Sequence, residues 1–412
     1  MTNLGKHVLL GGVALAAMAM GAAADDLSNL KSELALLQAR VSDLETQPQA
    51  VSAPGYSLLS IRDGQGHSES LVPRRAADRV RADQGFTLSV LPAADAAPAA
   101  EVSVSGEIRA ALYYTDWEDG DNLDVTTRGR IVVTGKTDTA VGEVGGYLRL
   151  QASGGGNLTD YAEDVGINYA YGWWKFAPNW EFMAGNNDST SALQVGWDWN
   201  GASGPTSSFG MSNPYSEQMR LTYSDGTVSA AISLEDPDDI TDAEGETIDK
   251  SDMPSLQAYL MYTNKPFTGQ IVGYYQSDDH GADDWAFGGG ATLDIAEGIL
   301  ITAGAVLGEG TSSFYNNLSP LTADEDFWAG SIGLLAQLTE QTRLELGAGI
   351  EDYDIAGQAL GLGGGLYWDP VSQLTLGAGA AYVDYKDAVT EDHVIGNDDS
   401  LEIFFATWLR FP

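Results

Sequence analysis

The chain has 412 residues, no cysteine, four histidines and a formal net charge of −39. The missing cysteines exclude disulfides and thiolate chemistry, and so few histidines leave little for a transition metal. An acidic excess of this size offers no basic surface to nucleic-acid phosphates.

Residues 1–24 read as a secretory signal peptide. Lys6 gives the positive start, Val8 to Met20 the apolar core, and Ala22-Ala23-Ala24 a small-residue cleavage site before Asp25. That core is shorter than the roughly 20 residues a helical span needs. No later apolar run is long enough either, so any membrane insertion must use strands.

Residues 25–46 hold a periplasmic coiled-coil segment. Leu27, Leu34 and Val41 alternate with Leu30, Leu37 and Leu44 at spacings of three and four, and Lys31, Glu33, Arg40, Asp43 and Glu45 lie off the seam. Such a seam wants copies of itself, although a single helix packed on the rest of the chain is the plainer alternative. Nearly three heptads are marginal alone, so something larger must hold the helices together.

Residues 47–100 form a linker, rich in Ala, Pro and Ser at both ends, with two short β-like runs at Tyr56–Arg62 and Phe86–Leu91. Arg74, Arg75, Arg79 and Arg81 are its densest basic cluster. They offer a contact to peptidoglycan or lipid headgroups, against the plainer reading of a solvated segment.

From Glu101 to the end the texture is constant. Sixteen alternating runs recur, at 101–114, 126–135, 141–152, 165–176, 180–187, 217–224, 227–235, 255–263, 267–277, 284–293, 298–307, 327–337, 342–351, 358–367, 372–383 and 399–409. Period two over eight to twelve residues is the pattern of a strand with two unlike faces. Connections alternate too. Tight ones such as Asp225-Gly226 and Asn264-Lys265-Pro266 carry turn residues. The others, at 115–125, 153–163, 188–215, 236–254, 278–283, 308–326, 352–357 and 384–398, are mostly longer. Aromatics gather in two belts, with Phe176, Trp180, Tyr262, Phe267 and Trp368 beside the turns. Tyr113, Tyr114, Trp285, Trp328 and Tyr382 lie beside the loops.

The last run, Leu401 to Phe411, puts Leu401, Ile403, Phe405, Leu409 and Phe411 on one face. A terminal strand this apolar needs a partner on both edges, because an open edge in lipid leaves backbone groups unbonded. Closure onto the first strand satisfies both. The expected fold is therefore an all-β transmembrane barrel of about 16 antiparallel strands, preceded by a short coiled-coil helix and a linker.

Signal, strand periodicity, short turns against long loops and an aromatic last strand together resemble the general diffusion porins of Gram-negative bacteria. The heptad segment resembles the coiled-coil start of some of them. One departure is that Pro412 follows the terminal aromatic Phe411. The resemblance implies a cell outer membrane protein, a homotrimer set among lipid and lipopolysaccharide, and a water-filled pore narrowed by the third long loop. Here that loop is 188–215, the longest, with Leu193, Val195, Trp197 and Trp199 as apolar anchors and Asp188 and Asp198 as its carboxylates.

Phase identifies the wall of such a pore. If Ile108, Leu112, Ile131, Val133, Leu148 and Leu150 face lipid, then Glu107, Arg109, Arg128, Arg130, Glu143 and Arg149 face inward. Arginine at mid-bilayer costs about 2–4 kcal/mol, which selects that phase. Four arginines on three adjacent strands then form a positive patch, and opposite an acidic loop they make a transverse field. The alternative is salt bridging that merely neutralises the interior. Arg220, Arg343 and Arg410 are further candidates for the lumen.

Charge position answers the alternative of a halophilic soluble protein. From 101 onward there are 49 acidic and 12 basic residues, and 31 of the acids lie in the eight long connections. They concentrate on one rim, where they would raise cation concentration. No calcium-loop spacing, metal-ligand set, cofactor motif or catalytic constellation stands out. The function expected is passive diffusion of ions and small hydrophilic solutes. The alternatives are a channel dedicated to one sugar or organic ion, marked by an aromatic ladder (Trp173, Trp174, Trp197, Trp199), and a structural tether between membrane and wall.

Overall fold

A computed structural model describes residues 58–63, 86–91, 100–117, 120–154, 165–195, 198–199, 209–210, 215–236, 239–241, 247–249, 253–277, 283–310, 325–389, 394–396 and 398–411. The signal and coiled-coil segments lie outside them, as do Trp197 and Pro412. Of two compact units, Met1–Leu58 with Pro92–Ala96 has only Leu58 described; Leu59–Leu91 with Ala97–Pro412 carries the architecture.

Every regular element described is a strand. In chain order they are β1 (Leu58–Asp63), β2 (Phe86–Leu91), β3 (Ala100–Trp117), β4 (Gly120–Thr139), β5 (Gly142–Gly154), β6 (Gly166–Ala177), β7 (Trp180–Asp188), β8 (Asp198–Trp199), β9 (Phe209–Gly210), β10 (Tyr215–Ser224), β11 (Val228–Glu235) and β12 (Asp239–Thr241). Then come β13 (Thr247–Asp249), β14 (Ser255–Asn264), β15 (Phe267–Gln276), β16 (Asp284–Ala296), β17 (Ile299–Glu309), β18 (Asp326–Gln337), β19 (Thr342–Tyr353), β20 (Gly357–Val371), β21 (Leu374–Lys386), β22 (Ala388–Val389), β23 (Val394–Gly396) and β24 (Asp399–Phe411).

One sheet takes 18 of these strands. Sixteen of them pair antiparallel with their neighbours in chain order, from β3 to β24, and β24 returns to β3 with Phe411 opposite Gly106 and Ser400 opposite Trp117. The sheet is thus a closed barrel, and all sixteen alternating runs of the sequence are strands of it. β8–β9, β12–β13 and β22–β23 are small separate hairpins within the connections.

β1 and β2 are additions to the barrel. β2 pairs with the first residues of β3, Phe86 opposite Val104 and Val90 opposite Ala100, and β1 pairs with β2. The edge of β3 therefore holds two strands end to end, β24 above and β2 below. β2 covers backbone groups that the end of β24 leaves without a ladder partner.

The strands differ from expectation mainly at the acidic end. The expected loop 115–125 is largely strand, since β3 runs to Trp117 and β4 starts at Gly120. Acidic residues read as loop there, but a strand that has left the membrane can carry them in water. At the other end the turns are tight. In Asp225-Gly226, Asp225 Oδ1 accepts the N–H of Thr227 at 2.9 Å and of Val228 at 2.8 Å. Gly226 there has φ +88°, a conformation that favours glycine.

The two faces differ as the alternation requires. Ile108, Leu112, Ile232, Leu260 and Phe287 are exposed outward, while Glu107, Arg109, Arg220 and Gln257 are buried inward. Large inward rings lie flat against the wall over small residues. A Cβ at Gly377 would come within 2.8 Å of Tyr367 and 2.9 Å of Trp408, so glycine there makes room for both rings.

Candidate functional site

The register of β3, β4 and β5 builds a cationic wall. Arg109 stands opposite Arg128 and Glu107 opposite Arg130, while Arg149 on β5 stands opposite Val132. Like charges facing each other across a ladder are unfavourable, so counter-groups must hold them. Arg109 Nε meets Glu107 Oε1 at 2.6 Å, and Arg410 from β24 approaches the other carboxylate oxygen at 3.4 Å. Arg130 Nε donates to Gln151 Oε1 at 2.5 Å. Arg149 donates to Asn168 and its guanidinium lies 3.7 Å from the centre of the Tyr169 ring, a cation–π contact. One carboxylate, Glu107, thus serves two arginines, and the wall keeps a positive excess.

Glu143 does not belong to this group. It sits one residue inside β5 beside the turn, opposite Asp138 and Lys175. There it pairs with Lys175 at 2.9 Å and accepts Trp173 Nε1–H at 3.1 Å, while Lys136 bridges to Glu101 at 3.2 Å. Phase alone gave its inward face but not its height, and the height assigns it to the turn-side rim. Arg343 also lies near that rim, paired with Glu345 at 2.9 Å and Asp369 at 2.8 Å.

The connection after β7 turns inward. Leu193 and Val195 are buried with Tyr259, Val272, Tyr274, Ala286 and Val306 from the inner wall. The polar clamp is more telling than the apolar contact. Thr190 N–H donates to Glu235 Oε1 at 2.8 Å, Ser191 N–H to Gln257 Oε1 at 3.1 Å and Gln194 N–H to Gln270 Oε1 at 2.6 Å. Gln218 Nε2 donates to the carbonyls of Asn187 and Asp188, each at 3.0 Å. One side chain from each of β10, β11, β14 and β15 thus satisfies backbone that has no ladder partner.

Further along, the backbone of β9 comes within 8 Å of β18, β19 and β20. β9 therefore lies near strands on the far side of the barrel from β7. Asp188 accepts the Tyr169 hydroxyl, and its carbonyl also accepts from Arg220. Arg220, only 2% exposed, is thus an anchor of the loop root. Asp198 and Trp199 form β8, opposite Gly210 and Phe209.

The aromatic side chains divide by face. Trp173 is 2% exposed and inward, whereas Trp174 is 40% exposed and outward, donating to the Val141 carbonyl at 2.8 Å. Trp174 therefore belongs to the turn-side belt, because neighbours in a strand point to opposite faces. The inward series is Tyr169, Tyr171 and Trp173, with Tyr147 stacked 5.1 Å from Tyr171. Glutamines 218, 257 and 270 were the functional side chains not singled out in the sequence. Their signal was an uncharged polar residue at an inward position on each of three strands. Among the described residues, no group of three His, Cys, Asp or Glu side chains is disposed to hold a metal ion.

A closed barrel with an apolar outside, a charged inside and a connection whose first residues, 189–195, turn inward is a transmembrane β-barrel channel. The family model of the Gram-negative porins matches residues 87–388, and the chain belongs to that family. It is an outer-membrane channel for passive diffusion.

Solved structures share the fold at low identity. The outer membrane channel DcaP of Acinetobacter baumannii superposes with a TM-score of 0.61 and 19% identity, covering 76% of this chain and 97% of that one. The anion-selective porin from Comamonas acidovorans gives 0.59 and 14%, covering 76% and 100%. A loop L8 deletion mutant of OmpT of Vibrio cholerae gives 0.52 and 14%, covering 76% and 100%. No curated protein sequence matches the chain.

Proposed function

We propose that the narrowest part of the channel lies between the inward loop 188–215 and the wall of β24, β3, β4 and β5, and that Arg109, Arg128, Arg130 and Arg149 with Glu107 set its charge. The observation that carries this is the cross-strand pair Arg109–Arg128, taken with an inward loop root clamped to other strands of the wall, β11, β14 and β15. Asp188, Trp197, Asp198 and Trp199 belong to the loop side. No catalytic step is assigned to any residue.

Two electrostatic zones act in series. The outer connections hold 31 of the 49 acids that follow residue 100, so the mouth concentrates cations at low salt. The arginine wall acts closer to the ion path and opposes them. Cation preference at low salt, fading as salt rises, follows from the unequal screening of the two zones. The Comamonas porin carries the name anion-selective, and this chain would approach that behaviour only where its mouth is screened.

The protein assembles as a homotrimer, with 27–45 as a parallel periplasmic stalk. The a/d leucines support association, and the count of three rests on the porin family. Native mass measurement of detergent-extracted protein decides it, and deleting 25–45 should weaken the trimer while leaving the barrel.

A channel dedicated to one solute is the second reading, favoured by the inward series Tyr169, Tyr171 and Trp173. The family model of the Gram-negative porins matches residues 87–388, and the open, charge-filtered pore is therefore preferred. Single-channel recording in planar bilayers separates the readings. Ohmic steps unaffected by sugars support the open pore, blockade by one solute supports the dedicated channel, and absence of steps supports a tether.

A further inference from the structure

Tyr169 faces inward on β6, and strict alternation from it would turn Ile167 into the lumen as well. Instead Ile167 is 65% exposed on the outer face. The ladder explains the change of phase. Arg149 stands opposite Tyr169 and Leu150 opposite Ile167, so Asn168 is an extra residue with no position of its own in the pairing with β5. This is a β-bulge, and a bulge re-aims side chains. Here it brings two consecutive side chains to one arginine. Arg149 donates from Nη2 to Asn168 Oδ1, and its guanidinium carbon lies 3.7 Å from the centre of the Tyr169 ring. Arginine offers only donors, and an amide oxygen and an aromatic face hold it without cancelling its charge.

The same tyrosine has a second attachment. Its hydroxyl donates to Asp188 Oδ1, and Asp188 is the last residue of β7, where the inward loop begins. Arg149, Tyr169 and Asp188 are all buried. Gln218 and Arg220 donate to the Asp188 carbonyl, so the hydroxyl contact joins Tyr169 to a point already fixed by β10. One face of the ring thus meets a cation of the wall, and its polar end meets the root of the loop.

We propose that Tyr169, aimed together with Asn168 by the bulge in β6, is a positioning residue that ties the charge of the wall to the seat of the loop. Its ring fixes where Arg149 stands, and its hydroxyl fixes where the chain leaves β7. This rests on the reading of Arg149 as part of the constriction given above.

Reversal potential and amide exchange separate the two attachments. Tyr169→Phe keeps the ring and removes the hydroxyl. Its reversal potential should match that of the wild type, while amide exchange at Thr190 should accelerate at least about tenfold, as loss of a hydrogen bond to a charged group implies. Tyr169→Leu removes both attachments. The released guanidinium can then meet the Asp188 carboxylate, so the potential should shift toward cations, in the same direction as in Arg149→Gln. Combining Tyr169→Leu with Arg149→Gln should give no shift beyond Arg149→Gln alone, because Tyr169 acts on the ions only through Arg149.

An unchanged potential in Arg149→Gln would take that arginine off the ion path and overturn the constriction reading together with this proposal. A shift in Arg149→Gln with none in Tyr169→Leu, or two shifts that add in full, overturns the coupling alone. Unchanged exchange at Thr190 in Tyr169→Phe overturns the attachment to the loop. Should Tyr169→Leu not fold, Asn168→Ala takes its place, with the same shift and the same absence of addition expected.

Discussion

Phe411 closes the barrel by lying on Gly106. The two residues are opposite each other across the seam of β24 and β3, and the aromatic ring fills the space a Cβ at Gly106 would occupy. The terminal aromatic therefore does more than end an apolar face. It needs a glycine partner on the first barrel strand, and closure joins the two ends of the domain through that pair.

Gly106→Val should accordingly strain the seam, with a loss of about 1–3 kcal/mol, the usual range for overpacking. Urea unfolding in detergent, followed by the heat-modifiable band on gels, reads the change. Gly129→Val, on the next strand with open space around it, should shift the midpoint far less.

Gln257 and Gln270 hold the inward loop through its backbone. Gln257 accepts from Ser191 N–H, and Gln270 both accepts from Gln194 N–H and donates to the Ala192 carbonyl at 3.2 Å. Changing both to Ala leaves those backbone groups without partners, at about 1–3 kcal/mol for each buried group. Amide exchange at Ser191 and Gln194 should accelerate at least about tenfold, and single-channel current should become noisier. Unchanged exchange would show that the apolar anchors Leu193 and Val195 suffice.

Much of the fold was legible in the sequence because the barrel repeats one signal. Period-two alternation recurs sixteen times, turn residues mark one rim, and each strand constrains its neighbours. The phase of Ile108 against Arg109 gave the inward face correctly, since lipid and lumen demand opposite chemistry. Height along a strand was not legible. Alternation says nothing of where a strand crosses its neighbour, so phase groups Glu143 with Arg149 although six residues of β5 separate a rim from a wall position. The clamp of Gln218, Gln257 and Gln270 was hidden for another reason. Its partners are backbone groups of a distant loop, and sequence does not show which backbone a side chain will meet.

Glu107 is the carboxylate shared by Arg109 and Arg410. Glu107→Gln keeps the shape and removes the charge, so the wall becomes more positive. Breaking a buried pair on one side typically costs about 3–5 kcal/mol, and here the remaining arginines repel as well. The variant should unfold at lower denaturant and shift its reversal potential toward anions. A potential equal to the wild type's would exclude this carboxylate from the ion path.

The turn at Asp225 gives a pH-dependent signature outside the membrane. The backbone N–H groups of Val228 and Thr227 bind its carboxylate and lower its pKa below the ordinary value. A lowered folded pKa stabilises the fold above the unfolded value of about 3.9, and that stabilisation disappears as pH falls through the folded pKa. Asp225→Ala should therefore be less stable than the wild type at neutral pH, and the two should converge on strong acidification. A gap that stays constant with pH would mean the turn acts through conformation alone.

The reversal potential across a salt gradient, measured on wild type and on a variant with Arg109, Arg128, Arg130 and Arg149 changed to Gln, tests the two-zone channel most directly. Screening acts over about 10 Å at 0.1 M salt and about 3 Å at 1 M, so the influence of the acidic mouth should collapse between them while the arginine wall persists. The wild type should prefer cations at low salt, with the preference fading as salt rises. In the arginine variant the cation preference should deepen, most visibly at high salt. Anion preference of the wild type at low salt, or a variant indistinguishable from it at both concentrations, would rule out the two-zone channel.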